Sequence, residues 1–382
     1  MPPFGNIIEE IFLLILKKGD NRLAIEKRCE DFCDKDWEAL YELSVRNGLF
    51  PIFYTRLTSL KLENIPPEFL SRLKYDFAAN LKKNIILERE SFNILSYLEK
   101  TNIPAIPLKG PFLARYLYDD LALRQASCDI DILIPPGRLG EAERKLEETG
   151  YHYSHHREAD FFRKFRKEIT LQKDNISLDL HWNFSDKYIN APIEEFWRNA
   201  RYMDFDGHRA LSFSDEDTVL YIALTAIADF DFILPKYLYD IHKAICKFGR
   251  TIDWDTLISR ARGHRLDRAL FFALKSANEL FDTGMPRAFK KSFFSENLLK
   301  IWINKNNILR NRVRIASSYS WRYFASSYIY SKNLFDCART IYDKIFLPVE
   351  EAMGLWDEPL LKKSYSLYIK RLLNPGNRIF SP

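Results

Sequence analysis

Asp129 and Asp131 interrupt what would otherwise be a buried strand, Cys128-Asp129-Ile130-Asp131-Ile132-Leu133-Ile134. Successive side chains of a strand point to opposite faces, so both carboxylates project from one face while Ile130 and Ile132 pack behind. Two like charges held side by side against an apolar core repel unless a cation neutralises them. A hard divalent ion does so, because it takes carboxylate oxygens and keeps positions open for phosphate. A third acid, Asp179, lies in Ile176-Ser177-Leu178-Asp179-Leu180-His181-Trp182, where polar and aliphatic residues alternate again. It can close the cluster from a neighbouring strand. Asp129, Asp131 and Asp179 therefore predict a metal site suited to phosphoryl chemistry, the alternative being acids that face water at a strand edge.

Twenty residues upstream of the pair stands Leu108-Lys109-Gly110, where a strand gives way to a helix. Glycine lets backbone N–H groups approach a phosphate, the helix N-terminus favours anions, and a lysine adds a mobile positive charge. His181 shares a face with Asp179 and is placed to orient that carboxylate or to touch a nucleotide, or else it is a satisfied structural histidine. Arg124 either contacts a triphosphate or pairs with Asp119 or Asp120. Tyr118 and Trp182 are available for base stacking or for the core. His152, His155 and His156 resemble a metal cluster by composition, but beside Arg157 at a strand end they read as loop histidines.

Pro107-Leu108-Lys109-Gly110, Tyr116, Arg124, Asp129-Ile130-Asp131-Ile132-Leu133-Ile134, Gly150-Tyr151 and Asp179-Leu180-His181-Trp182 together resemble the uncharacterised nucleotidyltransferases of the DNA polymerase β superfamily. The resemblance is most specific over residues 103–182, with weaker echoes in Tyr239-Asp240-Ile241, Asp253-Trp254 and Tyr368 to Arg371. It implies an α+β fold in which a small mixed sheet carries the D-x-D pair and the third acid. It also implies magnesium or manganese bridging the acids to a nucleoside triphosphate, with Lys109, Gly110, Arg124 and His181 on the nucleotide side. In this branch Lys-Gly stands where Gly-Ser is usual. The implied activity is transfer of a nucleoside monophosphate to an acceptor with release of pyrophosphate, Asp179 assisting deprotonation of that acceptor. A small molecule, peptide or glycan is the favoured acceptor, because the core carries no strong basic stripe. RNA-end modification, as in toxin-like relatives, and a nucleotide-binding module without catalysis are the alternatives.

The 382 residues, 47% hydrophobic and 29% charged, suit a folded chain with several core-bearing units rather than a disordered one. Five scattered cysteines lack the spacing of a disulfide framework or a zinc site. The apolar run Ile11 to Leu16 follows Glu9 and Glu10 rather than a basic segment, and no uncharged stretch approaches membrane length, so the expected location is the cytoplasm. Hydrophobic periodicity and punctuation predict a helical N-terminal region (1–101), the nucleotidyltransferase core (102–190), a helical region (191–299) and a basic, aromatic-rich helical C-terminal region (300–382). Within the first, Leu70, Leu73, Phe77, Leu81, Ile85, Phe92, Leu95 and Leu98 mark a helix from Pro67 to about Lys100. Asp36-Trp37 and Asp253-Trp254 read as the starts of two Asp-capped helices. From Lys300 onward 14 Lys and Arg stand against 6 Asp and Glu, a net +8 that leaves the remainder at −3. Such a segment can bind RNA, or it can be the solvated face of amphipathic helices.

Overall fold

A computed structural model describes residues 7–17, 19–153, 167–184, 193–228, 234–284 and Leu309. Four helices, α1 (Ile7–Leu16), α2 (Arg22–Cys29), α3 (Asp34–Arg46) and α4 (Phe50–Leu60), precede the long α5 (Pro67–Lys100). Proline opens α5 at its first position, where a missing N–H removes no helical bond. Asn102 ends it: at φ +58° it takes the left-handed turn, Ile103 N–H returns to Leu98 O at 2.9 Å, and Ile103 is buried beneath.

The buried stripe of α5 is not the one expected in mid-helix. Ile85 is 49% exposed, whereas Asn80 and Asn84 are buried. Asn80 donates to the carbonyls of Ala122 (3.0 Å) and Arg124 (3.1 Å) and accepts from Ala126 N–H (2.8 Å). Asn84 donates to Leu121 O (2.7 Å) and Arg124 O (2.9 Å). One helix face thus satisfies the backbone of the segment that leads into the Asp129–Asp131 strand, and fixes where that strand begins.

The sheet comprises β1 (Ile106–Pro107), β2 (Asp129–Leu133), β3 (His152–Tyr153), β4 (Glu168–Lys173) and β5 (Ile176–His181) in the order β1-β2-β5-β4-β3. Only β2 and β5 run parallel. Between strands lie α6 (Gly110–Leu113), which widens into a π turn over Ala114–Tyr118, and α7 (Leu139–Glu147). One sheet face is aliphatic: Ile130, Ile132, Ile169, Leu171, Leu178 and Leu180 are all buried. Each contributes about 1.5–3 kcal/mol of apolar burial.

The remainder comprises α8 (Ile193–Asn199), β6 (Arg201–Phe205), β7 (His208–Ser212), α9 (Asp215–Ala228), α10 (Pro235–Phe248), α11 (Trp254–Gly263) and α12 (Asp267–Phe281). The β6–β7 hairpin is a short strand pair, not expected from the sequence, between the helices of this stretch. Its turn, Asp206-Gly207, has φ of +57° and +86°, the two positive values a tight two-residue hairpin turn requires. The expected Asp-capping holds at α11, where Asp253 accepts from Thr256 N–H. In α3, however, Asp36 sits three residues inside and reaches back to Cys33 N–H. His155 and His156, and the basic region after Lys300 apart from Leu309, lie outside the described residues. Among the described residues no helix is long and apolar enough to cross a membrane.

Candidate active site

Strand register brings the acids together. On the parallel pair Asp131 lies opposite Asp179 and Asp129 opposite Ser177; on the antiparallel pair Thr170 lies opposite Asp179 and Glu168 opposite His181. The period-two alternation of three adjacent strands therefore builds one polar face from Asp129, Asp131, Ser177, Asp179, His181, Glu168 and Thr170.

The tight cluster on this face is Asp131, Asp179 and His181, whose ligand-capable atoms all lie within 4.8 Å of one another. Asp129 lies two residues away along β2, roughly 6–7 Å by strand rise, and is half-buried at the strand's start. Asp131 is buried, and one oxygen, Oδ1, accepts from Lys109 Nζ at 3.0 Å and His181 Nε2 at 2.9 Å. His181 Nδ1 meets Glu168 Oε2 at 3.0 Å. His181 thus bridges Asp131 and Glu168; the sequence expectation that it orients Asp179 is corrected, since Asp179 takes its hydrogen bond from Thr170 Oγ1 at 2.7 Å. Glu168 and Thr170 were missed as site residues. Their signal was present in Glu168-Ile169-Thr170-Leu171-Gln172, which alternates like the other two strands.

These contacts set the charges. Burial alone would raise the Asp131 carboxyl, but Lys109 and His181 outweigh it and hold it well below the usual range. Burial would likewise lower Lys109 and His181, yet Asp131 keeps the ammonium well above its ordinary value, and Asp131 with Glu168 lifts the imidazole to about 9. Glu168, which burial would raise, is drawn down to about 2 by His181. At Asp179 burial, joined by the charges of Glu168 and Asp129, outweighs the Thr170 hydroxyl and the charge of His181, and the carboxyl rises to about 6. Asp129 is also raised, by burial and then by Asp131. Two carboxylates of opposite character thus face each other across one strand pair.

Lys109 is extended and Gly110 turns into α6 at φ +59°. A Cβ on Gly110 would meet only Ser127 Oγ, at 3.6 Å, so glycine is needed here for its backbone angle rather than for space. Leu108, Lys109, Lys167, His181, Phe184, Tyr221 and Thr225 line a cavity of about 10 Å³, room for a water.

Arg124 is elsewhere. Its guanidinium is buried against Asp240 of α10, with Nε at 3.1 Å from both carboxylate oxygens and Nη2 at 2.9 Å from Oδ2. Tyr118 donates to the same carboxylate at 2.7 Å. Neither acid considered from the sequence is its partner: Asp119 pairs with Lys247 and Asp120 accepts from Ala122 N–H. Tyr118 is thereby a core residue, and Trp182 packs partly buried against the core. His152 is an exposed residue of β3.

No curated protein matches the chain. Two solved structures of ANT(2'')-Ia are similar: the solution structure of that antibiotic-resistance factor (17% identity over 44% of this chain and 88% of that one, TM-score 0.32), and its crystal structure in complex with adenylyl-2''-tobramycin (18%, 44% and 93%, 0.32). At that score the likeness carries no weight beside the site itself. The family model described as uncharacterised nucleotidyltransferase matches residues 34–282, from α3 through the whole polar face to the end of α12, and the chain belongs to that family.

Proposed function

We propose that this nucleotidyltransferase moves a nucleoside monophosphate from a nucleoside triphosphate to an acceptor hydroxyl, using a divalent metal, magnesium or manganese, held by Asp131 and Asp179 with Asp129 beside them. The observation that carries the reading is the register of β2 on β5, which sets Asp131 opposite Asp179. The fit is supported by the donor set: ligand atoms within 4.8 Å of each other match the span of a hard cation bound by carboxylates at about 2.0–2.6 Å. When bound, such an ion supplies charge stabilisation at the phosphate oxygens.

The chain's own side chains do the rest. Lys109, already an ammonium in contact with Asp131, balances phosphate charge, and Gly110 offers a backbone free of a side chain beside it. His181, engaged on both nitrogens, holds Asp131 in place rather than serving as a ligand. Asp179, opposite Asp131 on the neighbouring strand, is placed to accept the acceptor's proton as the acceptor oxygen bonds to the α-phosphorus and the bond to pyrophosphate breaks. The acceptor is a small molecule, peptide or glycan hydroxyl: the face around the acids carries Glu168, Asp129 and Asp179, which disfavour a polyanionic backbone.

Incubation of the purified protein with each labelled NTP, magnesium and fractionated small-molecule, protein and RNA pools tests this. Label in the small-molecule or protein pool with release of pyrophosphate is expected. Label confined to RNA would move the acceptor to nucleic acid, and no magnesium-dependent label with any NTP would refute the reading.

A further inference from the structure

The roll of α5 that brings Asn80 and Asn84 inward leaves an uncovered face on the other side of the helix. Tyr75 is 75% exposed, Ile85 49% and Ile86 48%, three of the six large apolar side chains that stand exposed among the described residues. Ala78, Ala79, Lys82, Lys83 and Arg89 are exposed with them. Tyr75, Ala79, Lys82, Ile86, Arg89 and Asn93 follow one another at alternating intervals of four and three, so they form one stripe along the helix, with Ile85 and Lys83 on its flanks.

The charges of this helix are sorted by side. Between residues 74 and 93 every carboxylate turns to another element. Asp76 accepts from Tyr41 at 2.5 Å, Glu88 from Arg115 at 2.8 Å, and Glu90 from Tyr151 at 2.9 Å and Lys173 at 3.3 Å. Among the described residues the ion pairs of α5 run through Arg72, Glu88 and Glu90, and Lys74, Lys82, Lys83 and Arg89 make none. The positions three and four residues from Lys82, Lys83 and Arg89 hold Ala, Asn, Ile, Leu and Phe, so no acid of the helix itself can neutralise them. A merely solvated face mixes both signs at such spacings.

We infer that the outer face of α5 is a docking surface for an acidic amphipathic helix of a partner protein. Tyr75, Ile85 and Ile86 supply apolar area, Ala78 and Ala79 let a second backbone come close, and Lys82, Lys83 and Arg89 meet carboxylates. From Tyr75 to Arg89 the face runs about 21 Å, the length of a partner helix of about four turns. Charge decides against the occupants nearest to hand. A second copy would set this positive face against itself, and the segment from Lys300 onward, at net +8, carries the same sign. A nucleic acid would meet the cations but leave the two isoleucines without an apolar partner.

The test is fluorescence anisotropy with the full chain as wild type, Lys82→Glu/Arg89→Glu and Ile85→Ser/Ile86→Ser. The probes are a labelled designed helix of about 18 residues with a Leu/Ala seam flanked by Glu, the same peptide with every Glu replaced by Gln, and polyuridylate. The wild type should bind the Glu peptide, more weakly as salt rises, and about tenfold or more tighter than the Gln peptide. Both double variants should lose about as much affinity for the Glu peptide while keeping the wild-type melting temperature, because all four positions are exposed. Should a double variant fail to fold, Lys82→Ala and Ile86→Ala carry the same comparison. A wild type that does not distinguish the two peptides, or a folded variant that binds the Glu peptide as wild type does, overturns the inference. It is overturned as well if polyuridylate is the preferred probe and the charge-reversed variant loses it. A wild type that sediments as a dimer, with the charge-reversed variant monomeric, would give the face to a second copy and overturn it too.

Discussion

Replacing Asp240 with Asn should destabilise the protein far more than any exposed substitution. Arg124 and Asp240 side chains are 2% and 0% exposed, and three N–H···O contacts of 2.9–3.1 Å join them, with Tyr118 completing the shell. Asn keeps the shape but removes the charge, so the guanidinium remains buried with no counter-ion. Breaking a buried pair from one side costs about 3–5 kcal/mol, because the surviving charge is uncompensated. At about 2–4 °C per kcal/mol for a large domain, the melting temperature should fall on the order of 10 °C. The double change Arg124→Met with Asp240→Leu removes both charges and should recover most of the loss. Urea unfolding of wild type, Arg124→Met, Asp240→Leu and the double variant closes the cycle and gives the coupling energy directly. A single variant within about 1 kcal/mol of wild type would refute the reasoning. It would mean that Arg124 is free to serve a substrate, as the sequence alone allowed.

Asp131→Asn and Asp179→Asn should each lower transfer by about a thousandfold or more with the fold retained, measured as pyrophosphate release, and full activity in either removes the metal assignment. Lys109→Ala should weaken a non-hydrolysable NTP more than it weakens free magnesium in titration calorimetry; equal NTP affinity would leave Lys109 as a partner of Asp131 only. The chelated protein should lose stability as pH rises. His181 stands near 9 in the folded chain against about 6.5 unfolded, so its contribution is complete below 6.5 and disappears through 9. Lys236, lowered to about 8, acts in the opposite sense above that pH, so the decline, about 2 kcal/mol by one unit per 1.36 kcal/mol, is cleanest between pH 6.5 and 8. His181→Gln should flatten it in urea titrations, and an unchanged slope would rule His181 out as the source.

Period-two alternation made the acid face legible because it is a local property: Asp129, Asp131, Asp179 and His181 could be assigned to one side of their strands without knowing which strands pair. Register is not local. That Asp131 meets Asp179 while Asp129 faces Ser177 follows from a parallel pairing across some fifty residues, and this pairing decides which acids share a ligand. Glu168 and Thr170 escaped notice for the same reason, since an acid on an amphipathic strand becomes a site residue only through its cross-strand neighbour. The β6–β7 hairpin was locally readable through Asp206-Gly207 and was missed beside the helical signals around it.

The α5 helix shows where periodicity misleads. Its apolar spacing favours a stripe through Leu81 and Ile85, yet the helix rolls so that two asparagines face inward. Five hydrogen bonds to backbone atoms of residues 121–126 outweigh the apolar burial forgone at Ile85, because that loop runs between elements without a ladder to satisfy its carbonyls. Arg124 belongs to the same logic. Its carbonyl is held by Asn80 and Asn84 and its side chain by Asp240, so one residue ties α5, the entrance to β2 and α10 together. The acids of β2 are therefore positioned relative to α5 and α10 by contacts that contain no catalytic group, and a change at Asn84 or Asp240 should alter nucleotide affinity through geometry alone.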